Sequence, residues 1–408
     1  MDMRKMRRGN HEGSYCFIPK LQSYRYREYY KAPDGTSQIK QIYSRDLKSL
    51  RSKVRNWHKV RDSGLGDNAS LTVKAWIEKW LVLVKPTIRL RTYDDYCRVL
   101  RSKVVPVIGK KRLMYLSVMD CQELFNSYVD QLSPVTINDI RRRLKVVLGA
   151  AVEQGLLRQN VASLTRPIHE PKKEVIALSE KQVESLVKAL DEGLYVFPDK
   201  DKPYKENISQ IYNKSVCRVL VHLALDTGCR IGELLGLTWS CIGLNGRSNG
   251  QIKIIHSLSS TSEGVKLEDV KTKSSCRVVK VPDSTVQLLQ EWKNEQDRYK
   301  DVLQNLYDTT YDFVFTNAFG RPVSLTNFYR RYWKKLIHYV GLPDKYTFHC
   351  LRRTHATLLL KHGVNIKVVS ERLGHSSTSV TANVYAGLLP DMQNQAVDAW
   401  NAIFSSRK

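Results

Sequence analysis

At 408 residues the chain has room for two or three domains, each able to bury a core of its own. Lysine and arginine total 66 against 40 aspartate and glutamate, a formal charge of +26 that favours a polyanionic partner, because each cation set against a phosphate releases condensed counterions. No apolar run approaches the ~20 residues of a membrane span, and no apolar stretch follows the charged start "MDMRKMRRGNHEGSYC". A cytoplasmic protein with nucleic acid as its leading partner is therefore expected, an anionic membrane surface being the weaker rival.

Residues 1–66 carry 16 basic and 6 acidic side chains. Within them "SYRYREYYKAPDGTSQIKQIYSRDL" alternates aromatic and basic residues at period two around a Pro-Asp-Gly turn. Tyr24, Tyr26 and Glu28 fall on one face of a strand, and Arg25, Arg27 and Tyr29 on the other. The following "SRDLKSLRSKVRNWHKV" reads as a basic helix with Ser44 at its N-cap, so a small three-stranded sheet backed by one helix is expected. Its cationic strands suit a DNA groove, the alternative being a solvated basic surface. "RDSGLGDNAS" is a linker. Residues 67–168 then read as a helical bundle: "LTVKAWIEKWLVLV" spaces Val73, Trp76, Ile77 and Trp80 as an amphipathic stripe. "TYDDYCRVLRSKVV", "DCQELFNSYVDQL" and "TINDIRRRLKVVLGAAVEQGLL" supply further helices. The proline-bearing "LTRPIHEPKKEV" is a second hinge, and residues 169–408 form the largest unit, a mixed α/β domain. There, "QIKIIHSLSS" and "CRVVKVP" are expected to be strands flanking the polar turn "KTKSS". The fold class is thus mainly α with small β elements (α+β).

The eight cysteines, Cys16, Cys97, Cys121, Cys217, Cys229, Cys241, Cys276 and Cys350, form no C-x-x-C pair and have no histidines at zinc spacing. They are expected to be reduced. No phosphate-binding G-x-x-x-x-G-K-[ST] loop is present, and the acidic residues of the C-terminal half, Glu233, Glu263, Glu268 and Asp269 among them, do not cluster as a two-metal site requires. No cofactor and no metal is called for.

Chemistry on a phosphate has better support. "ALDTGCRIGELLGLTW" sets Arg230 after a Thr-Gly turn where a helix begins, with Glu233 on the same face to orient its guanidinium. "TFHCLRRTHATLLLKHG" sets His349 and Arg352 at i, i+3 on another helix, which Gly363 stops. Two rigid arginines can bracket non-bridging phosphate oxygens in a way lysines cannot. "ERLGHSSTSVTANVYAGL" then places His375 ten positions before Tyr385, with small and hydroxylated residues between them.

The order R…K…H-x-x-R…H…Y over 156 positions, with "TGCRIGELLGL", "HCLRRTHATLL" and "LGHSS" around it, resembles the catalytic domain of the tyrosine recombinases, and most nearly the integrases of phages and conjugative transposons. The resemblance implies that residues 1–66 are an arm-type DNA-binding domain and residues 67–168 a core-binding domain. It implies that Tyr385 attacks the scissile phosphate to leave a 3′-phosphotyrosyl link and a free 5′-hydroxyl. Arg230 and Arg352 would hold the phosphate, His349 and His375 would hydrogen-bond to it and help move the tyrosine proton, and a turn lysine would protonate the leaving oxygen. "VKTKSS" offers both Lys271 and Lys273, and the following strand "RVV" favours Lys271. The implied partners are double-stranded DNA at core and arm sites, a homotetramer on that DNA, and a DNA-bending protein and an excisionase as auxiliaries.

Three features depart from the family pattern or lie beside it. Arg353 stands where many relatives have histidine. "LYVFPDKDKPYKENISQIYNK" reads as an inserted surface loop, and "LLPDMQNQAVDAWNAIF" as a terminal helix with Ala396, Ala399, Trp400 and Ile403 as its apolar stripe, docking on a neighbouring subunit or on its own domain. Two other functions compete with an integrase. A type IB topoisomerase shares the chemistry, but the arm-type domain argues against it. A non-catalytic regulator is suggested by the helix-turn-helix look of "LLLKHGVNIKVVSERLG", and the full catalytic set argues against that.

Overall fold

The computed structural model describes residues 13–31, 37–62, 70–171, 176–193, 208–243, 250–270, 275–385, 397, 398, 400, 401 and 403. The chain divides into two compact units, Met1–Pro171 and Lys172–Lys408, and the architecture is mostly helical with small sheets.

The first unit opens with three antiparallel strands, β1 (Ser14–Ile18), β2 (Ser23–Lys31) and β3 (Ser37–Ser44), in that order across the sheet. The period-two alternation works as expected. Tyr26 and Glu28 are buried on one face, and Tyr29 on the other is 61% exposed, with Arg27 stacked on its ring and donating to its hydroxyl at 2.6 Å. The helix α1 (Leu47–Asp62) covers the buried face through Leu50 and Val54. Its cap differs from expectation. Ser44 is held extended by the ladder, opposite Tyr24, so Asp46 takes over and accepts from the Ser49 amide at 2.7 Å. The Pro-Asp-Gly turn lies outside the described residues.

Five helices follow: α2 (Val73–Val84), α3 (Leu90–Val99), α4 (Val105–Ile108), α5 (Val118–Asn126) and α6 (Pro134–Glu153). Thr72, Ser117 and Ser133 cap the N-termini of α2, α5 and α6 through their hydroxyls. The stripe Val73, Trp76, Ile77 and Trp80 is buried as its spacing predicts, and Trp76 donates to the Val147 carbonyl at 3.0 Å, tying α2 to α6.

The second unit packs α7 (Glu180–Asp191), α8 (Ile208–Thr227), α9 (Ile231–Leu235), α10 (Asp283–Leu303), α11 (Leu325–Phe328), α12 (Lys334–Tyr339), α13 (His349–Lys361), α14 (Ile366–Leu373) and α15 (Thr378–Tyr385) about one large core. Its strands number more than the two expected. A three-stranded sheet, β4 (Ile242–Gly243), β5 (Gln251–Ile254) and β8 (Arg277–Lys280), is joined by a separate hairpin, β6 (His256–Thr261) and β7 (Gly264–Asp269). The hairpin arises because Ser262 and Glu263 ahead of Gly264, at φ +102°, close a tight turn that its polar composition hides. The expected "KTKSS" turn lies mostly outside the described residues. The inserted stretch before Arg230 is also only partly what its composition implied. Residues 208–214 are the first turns of α8, and Tyr212 there is completely buried against Trp292 and Tyr299. Among the described residues no helix is long and apolar enough to cross a membrane.

A buried amide on α10 ties it to Trp239, which follows α9, and to Phe313 and Thr316. Gln296 accepts from Trp239 Nε1 at 2.6 Å and donates to the Phe313 carbonyl at 3.2 Å and to Thr316 Oγ1 at 3.0 Å. Replacing Gln296 by alanine strands these groups without water, and is expected to lower unfolding stability by about 3 kcal/mol in urea titration.

Candidate active site

Arg230 owes its place to the turn before it. Helix α8 ends at Thr227, and Gly228 adopts φ +64°, with His355 and Leu373 packed where a Cβ would project, at 2.7 and 2.8 Å. Only glycine admits this approach. Arg230 is then the N-cap residue of α9, and Glu233 at the third helical position accepts its backbone N–H at 3.0 Å. The other carboxylate oxygen of Glu233 takes Arg230 Nη1 at 2.7 Å, so the i, i+3 pairing legible in the sequence is made. Glu233 is buried and Arg230 is half-exposed. Burial pushes the Glu233 carboxyl up, but Arg277 and then Arg230 outweigh it, holding it below the usual carboxylate range.

Arg352 sits on α13, one turn after His349, and is 4% exposed. Its guanidinium donates to two main-chain carbonyls, Nη1 to Gly228 at 2.8 Å and Nη2 to Leu373 at 2.8 Å. Desolvation and then Arg230 push its pKa down to about 10, which still leaves it cationic at neutral pH. His349 begins α13 and is exposed at its edge; loss of solvation, then Arg352, Arg353 and Arg230, lower its pKa. Arg353 thus adds to the field that keeps His349 neutral.

His375 is placed by the end of α14. Gly374, at φ +70°, closes a Schellman motif in which its own N–H reaches the Glu371 carbonyl at 2.9 Å and the His375 N–H reaches that of Ser370 at 3.0 Å. The imidazole Nδ1 shares a hydrogen bond of 2.7 Å with Thr381 Oγ1, a fully buried hydroxyl on α15. Burial first, and then Arg352, Arg230, Arg277 and His349, bring His375 down to about 4, so these groups stand within electrostatic range of one another. Helix α15 ends at Tyr385, four residues after Thr381. The short helix anticipated between His375 and Tyr385 is present, and its residues 378–380 are exposed. The Tyr385 side chain lies outside the described residues, as do Lys271 and Lys273 entirely. Of the terminal stripe, Trp400 and Ile403 are exposed, and Ala396 and Ala399 lie outside the described residues.

Three side chains around this site carry no signal in the sequence. Arg277 donates to the Arg372 carbonyl at 2.8 Å, the Ser275 carbonyl at 3.0 Å, Cys229 Sγ at 3.3 Å and Glu233 at 2.9 Å. Arg372 Nε donates to His355 Nε2 at 3.0 Å, and its Nη2 to the Asp226 carbonyl at 2.7 Å. His355 Nδ1 in turn donates to the Leu225 carbonyl at 2.6 Å, which fixes a neutral imidazole with Nε2 as acceptor. All of these partners except the Ser275 carbonyl are far away in sequence, and no spacing rule marks them.

The His355 arrangement has a pH signature. Burial, and then Arg372, hold its pKa near 4, against an ordinary value of about 6.5. Between those values the unfolded chain takes up a proton that the folded His355 refuses, so its stabilising contribution is whole above about pH 6.5 and is lost as pH falls towards 4. At pH 5 the loss is about 2 kcal/mol. Thermal melts are expected to show a lower Tm at pH 5 than at pH 7.5, with a shallower pH slope for His355→Gln.

Residues 176–391 match the Phage integrase family, and residues 72–129 match the N-terminal SAM-like domain of phage integrases. A tyrosine recombinase XerC-like protein of Caldanaerobacter subterraneus subsp. tengcongensis is 28% identical over 380 residues, covering 90% of this chain and 92% of the relative. The transposase of transposon Tn916 from Enterococcus faecalis is 28% identical over 361 residues, 84% of this chain and 80% of its own. Among solved structures, a Tn1549 transposon integrase fragment in complex with transposon right end DNA covers 80% of this chain and all of its own at 21% identity, with a TM-score of 0.61. A lambda integrase tetramer bound to a Holliday junction covers 89% of this chain and 96% of its own at 17% identity, with a TM-score of 0.53. With the family match running through Arg230, His349, Arg352, His375 and Tyr385, this chain belongs to the phage integrase family of tyrosine recombinases.

Proposed function

We propose that this protein is a site-specific DNA recombinase that integrates and excises a mobile element, with Tyr385 as nucleophile, Arg230, Arg352, His349 and His375 on the scissile phosphate, and Lys271 as the acid for the leaving oxygen. The reading places arm-site binding in residues 1–66, core-site binding in residues 67–168 and catalysis in residues 169–408, in a cytoplasmic protein that works as a homotetramer on two DNA sites. The observation that carries it is the pair of arginines fixed on separate helices around one locus, Arg230 by a buried carboxylate and Arg352 by two carbonyls, with His375 tethered to the helix that ends at Tyr385.

The chemistry follows from those constraints. A free tyrosine has a pKa of about 10, so only about one in a thousand is ionised at neutral pH. Guanidinium groups around the phosphorus stabilise the charge that builds on the non-bridging oxygens as the phenol oxygen bonds to phosphorus. The bond from phosphorus to the 5′-oxygen then breaks, that oxygen taking a proton from Lys271 while the phenol proton passes towards a histidine. His375 enters neutral, because burial first and then the arginines disfavour its protonated form; the negative charge of the transition state offsets that penalty and lets the imidazole accept a proton. The phosphotyrosyl bond conserves the phosphodiester's energy, and attack by a 5′-hydroxyl from another duplex reverses the sequence with no nucleotide consumed.

Incubation with a nicked core-site duplex in EDTA is expected to yield a covalent adduct at Tyr385. Tyr385→Phe should retain duplex binding and form none. An adduct on another residue, or an absolute requirement for magnesium, would remove this mechanism. Recombinant products from two duplexes of different length identify an integrase, whereas relaxation alone identifies a topoisomerase. For the lysine, Lys271→Ala is expected to lose at least about a hundredfold in cleavage of an ordinary duplex. It should recover on a substrate with sulfur at the 5′-bridging position, because a thiolate leaves unprotonated; the same behaviour in Lys273→Ala would move the role to that residue.

A further inference from the structure

Glu233 lies between two arginines, and only one of them faces solvent. Its Oε1 accepts from Arg230, half-exposed at the site, and its Oε2 accepts both the Arg230 backbone N–H and Arg277, whose side chain is 7% exposed. One carboxylate against two guanidinium groups leaves a net charge of plus one. Were Arg277 missing, the buried carboxylate would have Arg230 as its sole counter-ion in this group, and the pair would be neutral towards an incoming anion.

The same guanidinium holds segments that chain connectivity does not join. Its Nη1 binds the Ser275 carbonyl, two residues past Lys273 in sequence; its Nη2 reaches Cys229 Sγ and Glu233 beside Arg230; its Nε binds the Arg372 carbonyl in the last turn of α14, just before Gly374 and His375. Gly374 is part of the fit, since a Cβ there would stand 2.9 Å from Arg277 Nη1. Four acceptors spread over a planar fork cannot be met by an ammonium group.

We infer that Arg277 is a positioning residue for strand cleavage. Its fork sets the Arg230 helix, the start of β8 and the His375 turn in one arrangement, and its charge offsets Glu233 so that the charge of Arg230 is left for the scissile phosphate. This rests on the cleavage reading above, in which Arg277 itself touches neither DNA nor the phenol.

The test is single-turnover cleavage of the nicked core-site duplex by the full chain, read with duplex affinity by gel shift and with thermal melting. Arg277→Gln is expected to slow cleavage about a hundredfold while duplex affinity holds. Arg277→Lys, which keeps the charge and loses the fork, should slow it about tenfold. The decisive variant is Glu233→Gln combined with Arg277→Gln. With the carboxylate's charge gone, Arg230 is released, and cleavage should recover at least about tenfold over Arg277→Gln alone. A purely structural Arg277 predicts instead that the double variant is no faster than the single one, and that result overturns the inference. So does wild-type cleavage by Arg277→Gln, or loss of cooperative melting in all three variants. Absence of any adduct with the unsubstituted protein is a different failure, because it removes the cleavage reading and this inference with it.

Discussion

Arg230, Arg277 and Arg352 repel one another, and burial of two of them removes the water that would screen that repulsion. Everything around the site answers this constraint. Arg352 is met by carbonyls rather than by an acid, so its charge is solvated without being cancelled. Two of the carbonyls that receive arginines, those of Arg372 and Leu373, close the C-terminal turn of α14, where the helix presents its partial negative charge. Glu233 supplies a full negative charge in direct contact with two of the three, Arg230 and Arg277. Burial first, and the same field after it, lower the pKa of the two histidines nearby.

How much of this was legible in the sequence follows from the range of each interaction. Glu233 lies three residues from Arg230, and His349 three from Arg352, so helix periodicity exposes both pairs. The buried stripe of α2 and the alternation of β2 are equally local. Arg277, His355 and Arg372 stayed hidden because they act on main-chain carbonyls or on residues brought close only by the packing of α8, α13 and α14. The hairpin of β6 and β7 was missed for a different reason. Its strands are polar and lie against α9, where Gly232 and Gly236 allow Ser257 and Leu258 to approach to about 3 Å of a notional Cβ, so burial of backbone rather than of apolar side chains defines it. Ser44 and Asp46 are both good caps by residue type, and the ladder decided between them.

The N-terminal sheet likewise separates a hydrogen-bonded face from a face that presents cations. Beneath it buried Tyr26 and Glu28 join half-exposed His58 in a polar cluster, His58 Nε2 lying 2.6 Å from the carboxylate and 3.0 Å from the tyrosine hydroxyl. Above it Arg25, Arg27 and Tyr29 stand on a surface stiffened by that cluster. A sheet this small buries little apolar area, so satisfied polar contacts and the cover of α1 carry much of its order.

Helix α15 is secured differently from its neighbours. Of its side chains from Thr378 to Ala382, Thr381 is the one that is fully buried, and the bond that hydroxyl makes with His375 is the same bond that orients the imidazole. One hydrogen bond therefore serves two ends, since any displacement of the Thr381 hydroxyl also frees the His375 ring.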